Sequence, residues 1–353
     1  MLGDGFDSEA RKPLLTVNRV CFGNHGSSGV KLARRLAVLL LIPFVVSGQH
    51  AKIFFQKGVN FTAEGPIGYK PAESSAMLHE LPKYGVNAIA LVPYGFNRLG
   101  TTKIYFGGDR SWERDEYIRQ IADDAHKIGL HVMLKPQIWT GRGFPGDIDF
   151  ANAADASKWF EEYKPYLEHY AQLARDIKAD VFCVGVEFGK MVRYEAEWRS
   201  LIARARQIYR GPLTYAANSG PEFETLKFWD ALDYIGLNNY YPLPDDLSTA
   251  AVVRTVETVQ KKFNKPVIFP EAGFSSYSAP HRAPWDETPR KLAPEDQARC
   301  YDAILKAFWN KSWFKGVYWW KVGTNGFGGP DDGSHTPWRK PAMQVMARWY
   351  KLR

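Results

Sequence analysis

What most constrains this chain is an alternation. From residue 53 onward, short apolar runs take turns with longer segments of helical periodicity, eight of each, separated by brief Gly-, Pro- and Asn-containing punctuation. The apolar runs predict strands at 54–61, 86–92, 130–136, 181–187, 213–217, 234–239, 267–270 and 317–322. Most are unbroken rather than alternating, as expected of parallel strands buried on both faces. The helical segments fall at 71–84, 112–128, 154–177, 195–209, 221–229, 247–263, 294–309 and 341–351. In the third, Trp159, Tyr163, Tyr166, Leu167, Tyr170, Leu173 and Ala174 recur at three- and four-residue spacing, which marks a face packed on the sheet. Eight strand–helix pairs in about 300 residues is the count of a single-domain (β/α)8 TIM barrel. A doubly wound open sheet is the competing arrangement. It would normally carry a ligand-binding turn after an early strand, and no Gly-rich phosphate loop follows any of these runs.

Two of the apolar runs end in glutamate. Glu187 closes Val-Phe-Cys-Val-Gly-Val-Glu (181–187) and Glu271 closes Pro-Val-Ile-Phe-Pro-Glu (266–271). A carboxylate at the exit of a buried strand is costly unless something uses it. In a barrel the C-terminal strand ends converge on the face that carries the chemistry, so the two carboxyls, on the fourth and seventh strands, would meet across the mouth. Two such groups are the minimum equipment for glycoside hydrolysis; a pair of buried salt-bridge partners is the bland alternative.

Composition excludes several other classes. The net charge of +8 invites a nucleic-acid reading, but residues 1–50 hold six Lys/Arg against three Asp/Glu, leaving 40 against 35 dispersed over the rest. No basic stripe or nucleic-acid motif is present, so no nucleic-acid partner is expected. Three separated cysteines (Cys21, Cys183, Cys300) and eight histidines without His-Glu-x-x-His spacing give no disulfide scaffold and no dedicated metal site. No cofactor is expected. The aromatic content of 14% suits a large core or a cleft lined by flat rings that stack on sugars.

The N-terminal part reads separately. Lys31, Arg34 and Arg35 precede an apolar run from Leu36 to Val46, followed by Ser47-Gly48. This is a signal-peptide pattern over 31–48, too short for a comfortable membrane span. The expected organisation is a non-native or disordered extension at 1–29, a leader-like segment at 30–50 and a catalytic domain at 51–353. Secretion or periplasmic location follows, with membrane attachment only if the apolar run stays uncleaved.

Around the glutamates stand further candidates. Tyr240, just past the sixth strand, can donate its phenol to Glu271 and orient it, unless it is a rim tyrosine like Tyr241. Trp139 after the third strand can stack on a neighbouring sugar or cap the rim. Asn218 and Asn239, after the fifth and sixth strands, are short polar groups suited to hydroxyls. Lys135 can reach substrate or pair with a glutamate inside the barrel. Asp331, Asp332 and His335 lie in a Gly-rich loop, 323–336, long enough to overhang the cleft.

With these residues in place the chain resembles clan A of the glycoside hydrolases, and more narrowly glycoside hydrolase family 113, the β-1,4-mannanases and related mannan-degrading enzymes. The resemblance runs over 57–353. It rests on Lys-Gly-Val-Asn-Phe (57–61), Gly-Val-Glu (185–187), Leu-Thr-Tyr-Ala-Ala-Asn (213–218), Asp-Tyr-Ile-Gly-Leu-Asn-Asn-Tyr-Tyr-Pro (233–242), Pro-Glu-Ala-Gly-Phe (270–274) and Tyr-Trp-Trp-Lys (318–321). It implies a retaining double displacement with Glu187 as acid/base and Glu271 as nucleophile, and Trp320 as the platform beneath the reacting sugar, with Trp319 packed behind the strand. It implies a β-linked oligo- or polysaccharide as partner, mannan first, with glucan, xylan or a non-catalytic sugar-binding barrel as alternatives; a monomer is expected. One position departs from the clan: many members carry Asn directly before the acid/base, and here it is Val186.

Overall fold

The computed structural model describes residues 53–107 and 112–353. The expectations for 1–29, 30–50 and the leader-like stretch 31–48 lie outside these residues. In chain order the elements are β1 (Gln56–Thr62), α1 (Pro71–Glu80), β2 (Ala88–Leu91), β3 (Tyr94–Phe96), α2 (Asp115–Lys127), β4 (His131–Leu134), β5 (Gln137–Trp139), α3 (Ala153–Asp176), β6 (Val181–Val186), α4 (Glu195–Ile208), β7 (Leu213–Asn218), α5 (Pro221–Thr225), β8 (Ile235–Asn239), α6 (Ala250–Phe263), β9 (Val267–Ala272), α7 (Pro294–Phe308), β10 (Phe314–Gly323) and α8 (Pro341–Tyr350). Eight of the strands close into an all-parallel barrel in the order β1-β2-β4-β6-β7-β8-β9-β10 and back to β1. The chain is a (β/α)8 barrel.

Local chemistry explains where the helices begin and end. Pro71, Pro221, Pro294 and Pro341 open α1, α5, α7 and α8, where a missing N–H has no partner to lose. Asn152 caps α3 by accepting from the Asp155 amide at 2.8 Å. Asn264 ends α6 in the left-handed conformation at φ +49°. Four helical predictions ran long by three residues or more. Leu81–Tyr84 form a 3-10 turn after α1, residues 112–114 precede α2, residues 247–249 precede α6, and the segment predicted at 221–229 is a five-residue helix followed by a 3-10 turn at Trp229–Ala231.

The aromatic stripe of α3 is buried throughout. It also ties down the upper rim. Trp159 Nε1 donates to Asn97 Oδ1 at 3.2 Å, Tyr163 OH to the Val184 carbonyl at 2.9 Å and Tyr166 OH to the Gln137 carbonyl at 2.9 Å. That last bond anchors a feature the sequence reading missed: β3 and β5 pair as a two-stranded parallel sheet above the barrel. Inside the barrel, Asn60 of β1 donates its amide to the carbonyls of Pro270 (3.0 Å) and Tyr318 (3.1 Å). Pro270 has no N–H to give the ladder, and register shifts flank it on both sides of β9. The irregular stretch it creates delivers Glu271. Among the described residues no helix is long and apolar enough to cross a membrane.

Candidate active site

β6 and β9 are separated in the barrel wall by β7 and β8, and each carries one glutamate to the C-terminal rim. Both line one cavity of about 670 Å³, together with Gln137, Phe144, Asn218, Ser219, Tyr240, Trp285, Glu287, Trp320 and His335.

Glu271 is 5% exposed and surrounded by donors. Its Oε1 accepts from the Lys135 ammonium and from Gln137 Nε2 at 2.5 Å, and its Oε2 accepts from Tyr240 OH at 3.1 Å. A carboxylate with both oxygens engaged has one orientation available. Burial and the negative charge of Glu271 push the Tyr240 hydroxyl well above its ordinary pKa, so it stays a donor.

Glu187 differs in every respect. It is half-buried, its Oε1 accepts one bond from Asn238 Nδ2 at 3.0 Å, and its backbone is left-handed at φ +57°. Burial first, and then the charge of Glu271, raise its pKa to about 8. One carboxyl is thus fixed by donors and the other retains a proton at neutral pH. Opposed environments of this kind push the pKa values of two neighbouring carboxyls apart.

Trp320 lies on the cavity wall, with the Lys135 Nζ 5.1 Å from its ring centroid. Trp319 is fully buried and stacks on Tyr301 with centroids 3.6 Å apart, so the two adjacent tryptophans divide as expected. Asn218 is on the wall as well.

Three expected contact residues are elsewhere. Lys135 is fully buried behind Glu271, because its ammonium is neutralised there rather than at a substrate. Asn239 is 2% exposed, off the cavity, with neither amide atom hydrogen-bonded. Successive side chains alternate faces along a strand, and it is the preceding Asn238 that reaches Glu187. Trp139 is 58% exposed and lines a neighbouring groove of about 510 Å³ with Tyr94, Phe96 and Tyr105. Val186 packs against Cys183 and Ala216. Lys321 pairs with Glu64 at 2.7 Å, and Asp332 with Lys340 at 3.0 Å.

Sequence reasoning missed Gln137, Asn238, Trp285 and Glu287. The second half of the outer wall is a clasp between two loops. His335 Nδ1 lies 2.6 Å from Glu287 Oε1 and Nε2 lies 2.6 Å from the Pro284 carbonyl, and the His335 amide donates to Glu287 Oε1 at 2.8 Å. This pins the loop bearing Trp285, which is 60% exposed at the cavity edge. Among the described residues no group of three or more His, Cys, Asp or Glu is arranged to hold a metal ion.

Comparison with known proteins decides the family. The sequence profile of Glycoside Hydrolase Family 113 matches residues 59–328. The chain belongs to glycoside hydrolase family 113. A family 113 β-mannanase from Alicyclobacillus acidocaldarius, solved in complex with ManMIm, superposes with a TM-score of 0.80 at 31% identity, over 86% of this chain and 99% of that one. A second family 113 β-1,4-mannanase structure gives a TM-score of 0.78 at 27% identity, over 85% of this chain and 100% of the other. A β-glucuronidase from Faecalibacterium prausnitzii shares the fold alone, with a TM-score of 0.59 at 17% identity over 85% of this chain and 49% of that chain. No curated protein sequence matches. As a family 113 member the protein is a glycoside hydrolase with a carbohydrate substrate.

Proposed function

We propose that this family 113 enzyme hydrolyses β-1,4-mannosidic bonds in mannan or manno-oligosaccharides, with retention of configuration. The observation that carries the mechanism is the contrast across the cavity: Glu271 gripped by Lys135, Gln137 and Tyr240, facing a Glu187 that holds its proton. The mannan assignment draws on the substrate named for the two family 113 neighbours.

In the first step a Glu271 oxygen attacks the anomeric carbon. The bond to the leaving oxygen breaks, and that oxygen takes the Glu187 proton. The product is a glycosyl ester on Glu271. Its formation cancels the Glu271 charge, the second largest cause of the raised pKa at Glu187. Glu187, now a carboxylate, binds its proton less tightly than it would beside an ionised Glu271, yet is positioned to accept one from water. Water attacks the anomeric carbon on the face the leaving group vacated, the ester C–O bond breaks, and both carboxyls return to their starting states. Trp320 offers an apolar face for the reacting ring.

Release of reducing ends from purified mannan, glucan and xylan tests the substrate, and proton NMR of the nascent product tests the stereochemistry. Mannan is expected to be preferred and the β-anomer to appear first; an initial α-anomer would exclude double displacement. The groove beside Trp139 suits sugar units beyond the cavity. A Trp139→Ala variant is expected to raise KM about three- to tenfold, the worth of one aromatic stack, on chains of five or more units, with little change on short ones. Equal effects on short and long chains would remove Trp139 from substrate binding.

A further inference from the structure

A third buried carboxyl lies behind the cavity and has no part in the steps above. Glu222, in the first turn of α5, is 7% exposed. Its Oε1 accepts from Tyr215 OH at 2.6 Å and its Oε2 accepts from the Asn218 amide at 3.1 Å. The Tyr215 hydroxyl in turn accepts from the Phe188 amide at 2.9 Å. Phe188 directly follows Glu187, whose own amide donates to the Ala216 carbonyl at 2.9 Å. Both peptide N–H groups that flank the Glu187 Cα on its C-terminal and N-terminal sides are therefore tied to β7.

This matters because Glu187 is in the left-handed region, at φ +57°. A residue with a Cβ pays roughly 1–2 kcal/mol for that conformation and keeps it only when its surroundings impose it. The turn swings the carboxyl into the cavity instead of continuing the strand. We propose that Glu222 is a positioning residue for Glu187: through Tyr215 it fixes the turned backbone that aims the acid, and its carboxylate supplies a second negative charge that helps Glu187 hold its proton. This rests on the acid/base role proposed above for Glu187.

The charge side of the argument has the right sign. The groups facing Glu187 are Glu271 from β9, Glu222 from α5, Lys135 beyond β4, and the Asn238 amide from β8; the first two oppose its ionisation and the last two favour it. Burial pushes Glu222 itself up to about 7. In its ionised form it opposes the loss of the Glu187 proton.

The test is the pH dependence of kcat/KM on a manno-oligosaccharide for wild type, E222Q and E222A. Gln keeps an oxygen that accepts from Tyr215, gives up the one that accepts from the Asn218 amide, and removes the charge. E222Q is expected to shift the basic limb downward by about half a unit or more, since a like charge that opposed ionisation is removed, with kcat at the optimum within a few-fold. E222A also releases Tyr215; it is expected to lower kcat about tenfold or more at nearly unchanged KM. A wild-type basic limb in E222Q would overturn the charge role, and a wild-type kcat in folded E222A would overturn the positioning role. An NMR titration of 13C-labelled Glu187 in wild type and E222Q reads the same shift without turnover. A wild type inactive on every mannoside would overturn the mannanase reading, and the titration would still decide for or against Glu222.

Discussion

Replacing Glu271 by alanine is expected to lower kcat on manno-oligosaccharides by about 10⁴-fold or more, equivalent to some 5.5 kcal/mol of transition-state stabilisation. The reason is geometric. Lys135, Gln137 and Tyr240 converge on this one carboxylate, which fixes its oxygens in the orientation proposed for attack. Adding azide to Glu271→Ala should restore turnover of an activated aryl mannoside and give the α-mannosyl azide, since the small anion enters where the side chain was. Failure of azide to rescue, or a β-product, would remove Glu271 as nucleophile. The variant leaves the Lys135 ammonium buried without its partner, which costs about 3–5 kcal/mol when one member of a buried pair is deleted. Glu271→Gln is the companion that keeps an acceptor there; it should bind oligosaccharide within a few-fold of wild type while remaining inactive.

Glu187 carries the second large effect, and it has a pH signature. The proton it donates is held by burial and by the charge of Glu271, with a pKa raised to about 8. Wild-type kcat/KM should therefore be sustained below that value and fall as pH rises through it, because the deprotonated form cannot protonate the leaving oxygen. Glu187→Gln should lower kcat/KM on natural substrates by about 10²- to 10⁴-fold and abolish this basic limb. On an aryl mannoside whose leaving group needs no proton, the first step should persist and the ester on Glu271 accumulate, seen as a burst of phenol. A basic limb that survives in Glu187→Gln would assign the proton to another group.

Much of the barrel was legible because its signals are long. Six-residue apolar runs such as Val181–Val186 and the stripe of α3 leave little choice of period, and the strand ends then place Glu187 and Glu271 without further information. What escaped is local. β3 and β5 have three residues each, too few for any period to register, and Gln137 was hidden with them. Asn238 and Asn239 are chemically identical neighbours, so choosing between them depended on a one-residue register, set here by the shift beside Pro270. Lys135 illustrates a different limit: a lysine at a strand end is compatible with a ligand or an ion pair, and only the position of Glu271 Oε1 decides. Trp285 and Glu287 sit on a loop whose course is set by the His335 clasp from a segment nearly fifty residues away.

In the double displacement proposed above, that buried lysine would make the two half-reactions unequal. Lys135 has no exposed surface, so while the sugar is esterified to Glu271 its ammonium faces a neutral acyl oxygen in a site that water reaches poorly. The negative charge has moved from the hydrogen-bonded Glu271 to Glu187, which Lys135 attracts only through space, and hydrolysis restores the direct pair. In the proposed cycle the resting enzyme, with Lys135 and Glu271 in direct contact, is thereby the favoured state to which each turnover returns.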